Sequence, residues 1–167
     1  MNRNPDNTAK RKAKVKTKRA HAGQLRNQQH IRVLQLHVKL LGYRCSADVL
    51  VREDCTFEDL HDFLNPLFNR EDDHLYRFEC EDGCTAVRDE EDIDDDEVLS
   101  NECYVGHHLS PGKGAHYVFD YGDYWEHEIT VKDILSAAPG ERYPRVIKVR
   151  GKIPEQYPDC DGEGDGE

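Results

Sequence analysis

Tryptophan and methionine each occur once in this 167-residue chain, and no apolar run approaches the roughly 20 residues that a membrane-spanning helix needs. No membrane association is therefore expected. The basic N-terminus has no apolar stretch behind its charges, so a secretory signal is not expected either, and the location read from the sequence is cytoplasmic. There is no Gly-x-Ser-x-Gly elbow, no His-Glu-x-x-His helix and no dinucleotide fingerprint. Gly112-Lys113-Gly114 lacks the four-residue spacer and the hydroxyl residue of a phosphate loop, and reads as a turn. These gaps remove the common hydrolase and nucleotide-enzyme classes and leave no complete catalytic set.

Charge is abundant and unevenly placed. Charged residues make up 34% of the chain and the net charge is -11. Residues 1–30 hold nine Lys/Arg against Asp6 alone, or +8, while the other 137 residues hold 14 Lys/Arg against 33 Asp/Glu, or -19. Residues 1–28 have almost no large apolar side chains, so they cannot offset the entropy of ordering and read as a disordered basic arm. Its cations Lys10, Arg11, Lys12, Lys14, Lys16, Lys18 and Arg19 are suited to nucleic acid or an acidic protein, by counterion release or direct attraction. The acidic body would repel a phosphate backbone. Residues 89–97 contain eight acids in nine positions, so a solvated loop is expected within an insert over 86–100. Residues 159–167 read as a disordered acidic tail, because the calcium-loop-like Asp159-Cys160-Asp161 start has no acid at position twelve. One domain over 29–158 remains, about 130 residues, enough for a modest core.

The periodicity predicts an α+β domain. Ile31 to Leu40 alternates with period two and Ala47 to Val51 is a second apolar run, which together predict an antiparallel hairpin around Gly42. Thr56 followed by Asp59 is a capping-box signal, Phe57, Leu60, Leu64, Leu67 and Phe68 then recur at helical spacing, and Pro66 is expected to kink or end the helix. Leu75 to Cys80 predicts a strand closed by Glu81-Asp82-Gly83. Strand, strand, helix, strand is a β-grasp-like start to a mixed or antiparallel sheet. Thr130 and Asp133 repeat the capping-box pattern, predicting a second short helix through Leu135, and Arg145 to Val149 predicts a last strand. Its Arg145, Lys148, Arg150 and Lys152 form the basic cluster of the folded body.

The densest aromatic segment, residues 116–131, reads HYVFDYGDYWEHEITV and predicts a long hairpin around Gly122-Asp123. A three-residue loop over 122–124 pairs Tyr121 with Trp125, Phe119 with His127 and Tyr117 with Ile129, giving one apolar and one polar face. Asp120 and Glu126 then face each other, an arrangement that calls for a cation or a shared proton. Asp120, Asp123, Trp125, Glu126, His127 and Glu128 are the candidate functional residues, with His61 and His74 as further candidates.

The stretch YVFDYGDYWEHEI closely resembles the hairpin signature YDFGDxWxH of the plasmid pRiA4b ORF-3-like family, with TFEDLHDFL and DDHLYRFE resembling its preceding helix and strand. The resemblance implies a compact α+β domain, of a kind found in proteins encoded by plasmids, insertion elements and chromosomes, and no established reaction. Many members end in a Cys- and Pro-rich segment with Pro-Pro-Glu-Asp, where this chain has YPRVIKVRGKIPEQYPD, so no role of those cysteines carries over.

Cys80-x3-Cys84 and Cys103-x3-His107 supply four ligand types suited to structural zinc, with His108 as an alternate. The spacing is wider than a zinc knuckle, and reduced thiols without a cofactor are the default expectation. The expected function is a noncatalytic binding or accessory module whose arm contacts nucleic acid or an acidic partner. The alternative is a metal-dependent or acid–base enzyme built on Asp120, Asp123, Glu126 and His127. Oligomeric state leaves no sequence signal.

Overall fold

A computed structural model describes residues 31–71, 74–88 and 93–157. The first apolar alternation becomes β1 (Arg32–Leu40), which turns through Gly42 at φ 80° into β2 (Cys45–Arg52). Val33, Leu34, Leu36, Val38 and Leu40 are all buried, so β1 is a central strand with contacts on both faces.

Helix α1 (Phe57–Leu67) starts where its capping box predicts. The Thr56 hydroxyl accepts the Asp59 N–H at 3.1 Å, and the Asp59 carboxylate accepts the Thr56 N–H at 2.8 Å. Two further helix N–H groups are satisfied from outside: Phe57 donates to Cys103 O and Glu58 to Ser100 O. Pro66 sits in the last turn, and the helix ends one residue later. Phe57, Leu60, Leu64 and Phe68 line the buried face of α1 and its C-cap, and pack into the sheet core.

The remaining elements are β3 (Tyr76–Cys80), β4 (Thr85–Val87), β5 (Glu97–Leu99), α2 (Val105–His108), β6 (Ala115–Phe119), β7 (Trp125–Ser136) and β8 (Arg145–Arg150). The strands β3 to β8 join β1 and β2 in one eight-stranded sheet in the order β5-β4-β3-β6-β7-β1-β2-β8. All neighbours are antiparallel except β4 and β5, which makes the sheet mixed.

This architecture corrects the α+β expectation: the fold is sheet-dominated, with 45% strand against 12% helix. The β-grasp-like start also fails, because β3 does not join the first hairpin. The β6–β7 hairpin lies between them, and β7 pairs with β1 over nearly its whole length. The second short helix expected after Thr130 is instead the continuation of β7. Thr130, Val131 and Ile134 are β-branched and favour a strand, and pairing with β1 settles the choice against the local capping pattern. A register shift between Gln35 and Leu36, which face Asp133 and Val131, leaves Lys132 as the extra residue of a bulge. The acidic stretch likewise ends in a strand, β5, with residues 89–92 outside the described residues.

Gly151 closes β8 against the first hairpin. It has φ 75°, and a Cβ there would stand 1.8 Å from the Arg44 carbonyl oxygen, so only glycine permits this approach. Because the α1 cap is built by two reciprocal bonds, Thr56→Ala is expected to lower unfolding free energy by about 1 kcal/mol. Urea denaturation measures this; an unchanged midpoint would show that the cap contributes nothing.

Candidate functional site

The aromatic hairpin is closed by a loop of residues 120–124, longer than expected. Phe119 pairs with Trp125, Val118 with Glu126, Tyr117 with His127 and Ala115 with Ile129. The predicted register is therefore displaced by two residues. A two-residue shift preserves which side chains share a face, and Tyr117, Phe119, Trp125, His127 and Ile129 are indeed all buried. The loop is wide because Asp120 and Tyr124 take left-handed conformations, φ 60° and 57°, and the Tyr124 N–H donates to Asp120 O at 2.6 Å. The Asp120 carboxylate accepts the N–H groups of Gly122 at 2.8 Å and Asp123 at 3.3 Å. An Asx turn of this kind explains an aspartate at that position.

The carboxylate pair is thereby dissolved. Asp120 is buried, and the His74 ring lies beside it, with Nε2 3.6 Å from Oδ2. Glu126 instead meets His116, with Nε2 3.2 Å from Oε1. Glu128 is exposed and pairs across the sheet with His116 in the backbone register, and Asp123 is exposed in the loop. Glu126 and His127 are adjacent on β7 and so face opposite sides of the sheet. The four acids and imidazoles of the enzymatic reading do not converge on one point.

His61 and His127 are buried in the core, and His74 is half-buried. His61 stacks on Tyr76 at 3.7 Å between centroids, and its Nδ1 lies 2.7 Å from the Tyr117 hydroxyl. His74 Nε2 lies 2.8 Å from the Tyr157 hydroxyl. His127 packs between Tyr117 and Phe68, with centroids 4.9 and 4.8 Å away, and its Nδ1 has no hydrogen-bond partner. Burial pushes its pKa down to about 3, so it is neutral at physiological pH. Trp125 carries the Arg70 guanidinium over its ring at 3.7 Å and meets Tyr43 at 5.6 Å. Arg70 is itself buried and donates to Pro154 O at 2.9 Å, tying the chain's last described segment to the hairpin. Arg70 and His116 were not anticipated from the sequence. The signal for both lies in tertiary pairing, which periodicity does not carry.

Beside Trp125, a cleft of about 810 Å³ is lined by Tyr43, Asp123, Tyr124, Glu126 and Gln156 among others. Its walls are aromatic and acidic, and no described cation faces its centre among the lining residues.

Three cysteines, Cys80, Cys84 and Cys103, lie beyond the hairpin at the C-terminal end of β3 and after it. Cys84 Sγ and Cys103 Sγ are 3.7 Å apart, and ligand atoms of Cys84, Cys103 and His108 all lie within 4.8 Å of one another. His108, rather than the expected His107, completes this group. Burial raises all three thiols, with Cys103 pushed up to about 12 and Cys80 higher still.

The sheet ends differently on its two sides. β5 is three residues long, whereas β8 has six, every one exposed. Arg150 binds Asp48 at 2.6 Å, and Asp48 also meets His37 at 2.7 Å; Arg145 binds Glu141 at 2.8 Å. Burial alone would raise the Asp48 pKa, but the bonds from His37 and Arg150 outweigh it and hold it below the ordinary value. The arm residues from Lys10 to Arg19 lie outside the described residues.

A sheet-dominated domain crossed by one capped helix and organised on an aromatic hairpin is the class these features define. The chain belongs to the plasmid pRiA4b ORF-3-like protein family, whose model matches residues 32–165. It is also similar in fold to a protein of unknown function, MM3350, from Methanosarcina mazei Go1. That crystal structure superposes with a TM-score of 0.68 at 22% identity, covering 75% of this chain and 73% of the other. No curated protein matches the chain.

A histidine kept neutral by burial makes stability depend on pH. The unfolded chain binds a proton near the ordinary pKa of 6.5, whereas the folded chain resists it down to about 3. Stability is therefore full above 6.5 and is lost as pH falls below it. Unfolding free energy measured between about pH 6.5 and 5, above most carboxylate titration, is expected to slope downward in the native chain and to be flatter in His127→Phe. Equal slopes would contradict the buried, neutral state.

Proposed function

We propose that this chain is a noncatalytic binding module that receives an extended acidic segment of a partner protein along the β8 edge. The observation that carries this reading is an edge strand exposed along its full length, with apolar and basic side chains together. Val146, Ile147 and Val149 are 42%, 50% and 41% exposed, and Arg145, Lys148 and Arg150 are interspersed with them. Among the described residues β8 pairs only with β2, so its outer backbone groups are available to a further strand.

Strand addition gives affinity through main-chain hydrogen bonds and specificity through the side chains that flank them. Cations beside the edge favour carboxylates on the incoming strand and speed the encounter. A second copy of β8 is disfavoured, because antiparallel pairing would set two basic strands against each other. The +8 arm adds attraction for the same acidic class of partner. Arg145 and Arg150 already hold carboxylates, whereas Lys148 makes no ion pair among the described residues and is available to a partner.

Fluorescence anisotropy of the full chain with a labelled peptide alternating Asp/Glu with Val/Ile, and in parallel with duplex DNA, tests this. The peptide is expected to bind, and the double variant Ile147→Asp with Lys148→Glu to weaken it by about tenfold or more. Because these side chains are exposed, the variant is expected to keep the native melting behaviour. DNA binding without peptide binding, or a variant that binds the peptide as well as the native chain, would overturn the proposal.

A further inference from the structure

The geometry points to a zinc site formed by Cys84, Cys103 and His108, with Cys80, which lies outside that close group, turning in from the same β-turn as the fourth donor. Two sulfurs bound to one tetrahedral zinc at about 2.3 Å lie about 3.8 Å apart. Cys84 Sγ and Cys103 Sγ are 3.7 Å apart, too far for a disulfide and at the spacing of two such ligands. His108 brings a ring nitrogen within 4.8 Å of both sulfurs. Cys80 lies across a turn from Cys84, with Cys80 N–H donating to Cys84 O at 2.8 Å and Gly83 N–H to Cys80 O at 2.9 Å. Thiols with one imidazole form a soft donor set that selects zinc over magnesium or calcium.

The surroundings supply what such a site needs beyond its ligands. His108 Nδ1 lies 2.9 Å from Asp82 Oδ2. With the proton on Nδ1 donated to Asp82, Nε2 keeps its lone pair, the tautomer in which a carboxylate orients a zinc-bound histidine. Asp82 is itself held by the Cys84 N–H at 3.1 Å, so the turn that carries two cysteines also carries the orienting acid. On binding, zinc–sulfur bonds form as the thiol protons pass to solvent.

The site would act as a staple. Cys80 and Cys84 flank the β3–β4 turn, and Cys103 and His108 lie at the two ends of the segment containing α2. That segment caps α1 through Cys103 O, with Ser100 O just before it, and is fixed to the β2 end by Val105 N–H to Cys55 O and Gly106 N–H to Glu53 O. Zinc would thus join the acidic excursion between Cys84 and Cys103 to the start of α1. This role is independent of the β8 edge.

The test uses the full chain, purified under reducing conditions, with metal content by mass spectrometry and Co(II) titration followed by absorbance. About one zinc per chain and thiolate-to-cobalt charge-transfer bands of a tetrahedral site are expected. His108→Ala is expected to weaken binding, as is Asp82→Asn by about tenfold or more, while His107→Ala leaves it unchanged. Cys103→Ser should abolish the cobalt bands; since it can also impair folding, the histidine variants and Asp82→Asn, checked by circular dichroism, carry the decision. Protein without zinc that gives no cobalt bands would overturn the proposal. So would dependence on His107 with none on His108, or a Cys84–Cys103 disulfide in the reduced preparation.

Discussion

The antiparallel pairing of β7 with β1 is the constraint on which the rest of the molecule depends. On one side of that seam stand β5, β4, β3 and β6, and on the other β1, β2 and β8. Each group alone is a small sheet with little to bury. The twelve residues of β7 reach across both, pairing with β6 near the hairpin and with β1 from Leu40↔His127 to Arg32↔Ser136. The joined sheet then offers α1 a continuous apolar face on which Phe57, Leu60, Leu64 and Phe68 bury completely. Burial of this kind supplies most of the favourable free energy of folding.

Seen from this seam, the family's hairpin signature has a structural meaning. Asp120 shapes the loop, Trp125 carries Arg70, and His127 fills the gap between Tyr117 and Phe68. Each contributes to holding β6, β7 and the last described segment together. The proposed partner edge at β8 and the proposed zinc site beyond β3 lie elsewhere.

Local features were legible in the sequence and non-local ones were not. The β1–β2 hairpin, the capped helix and its end just after Pro66 follow from alternation, capping residues and a missing N–H, all of which act within a few residues. The order of strands does not, since alternation in Trp125 to Val131 is the same whichever strand lies beside it. The hairpin register slipped for a related reason: a shift of two residues leaves both faces unchanged, and only the left-handed Asp120 and Tyr124 decide the loop length. Thr130 to Asp133 carried a helix signal that pairing with β1 overrode. The short helix α2 has no periodic signal, because four residues held by bonds to Glu53 and Cys55 need none. His107 and His108 are sequence neighbours, and only the turn of α2 decides which one reaches the cysteines.

The account separates a structural hairpin from an interaction edge, and amide hydrogen exchange of the full chain with and without the acidic peptide tests that separation most directly. It predicts slowed exchange in residues 145–150 on peptide addition, with the loop over 120–124 unchanged. Protection gained in that loop, with none along β8, would contradict it.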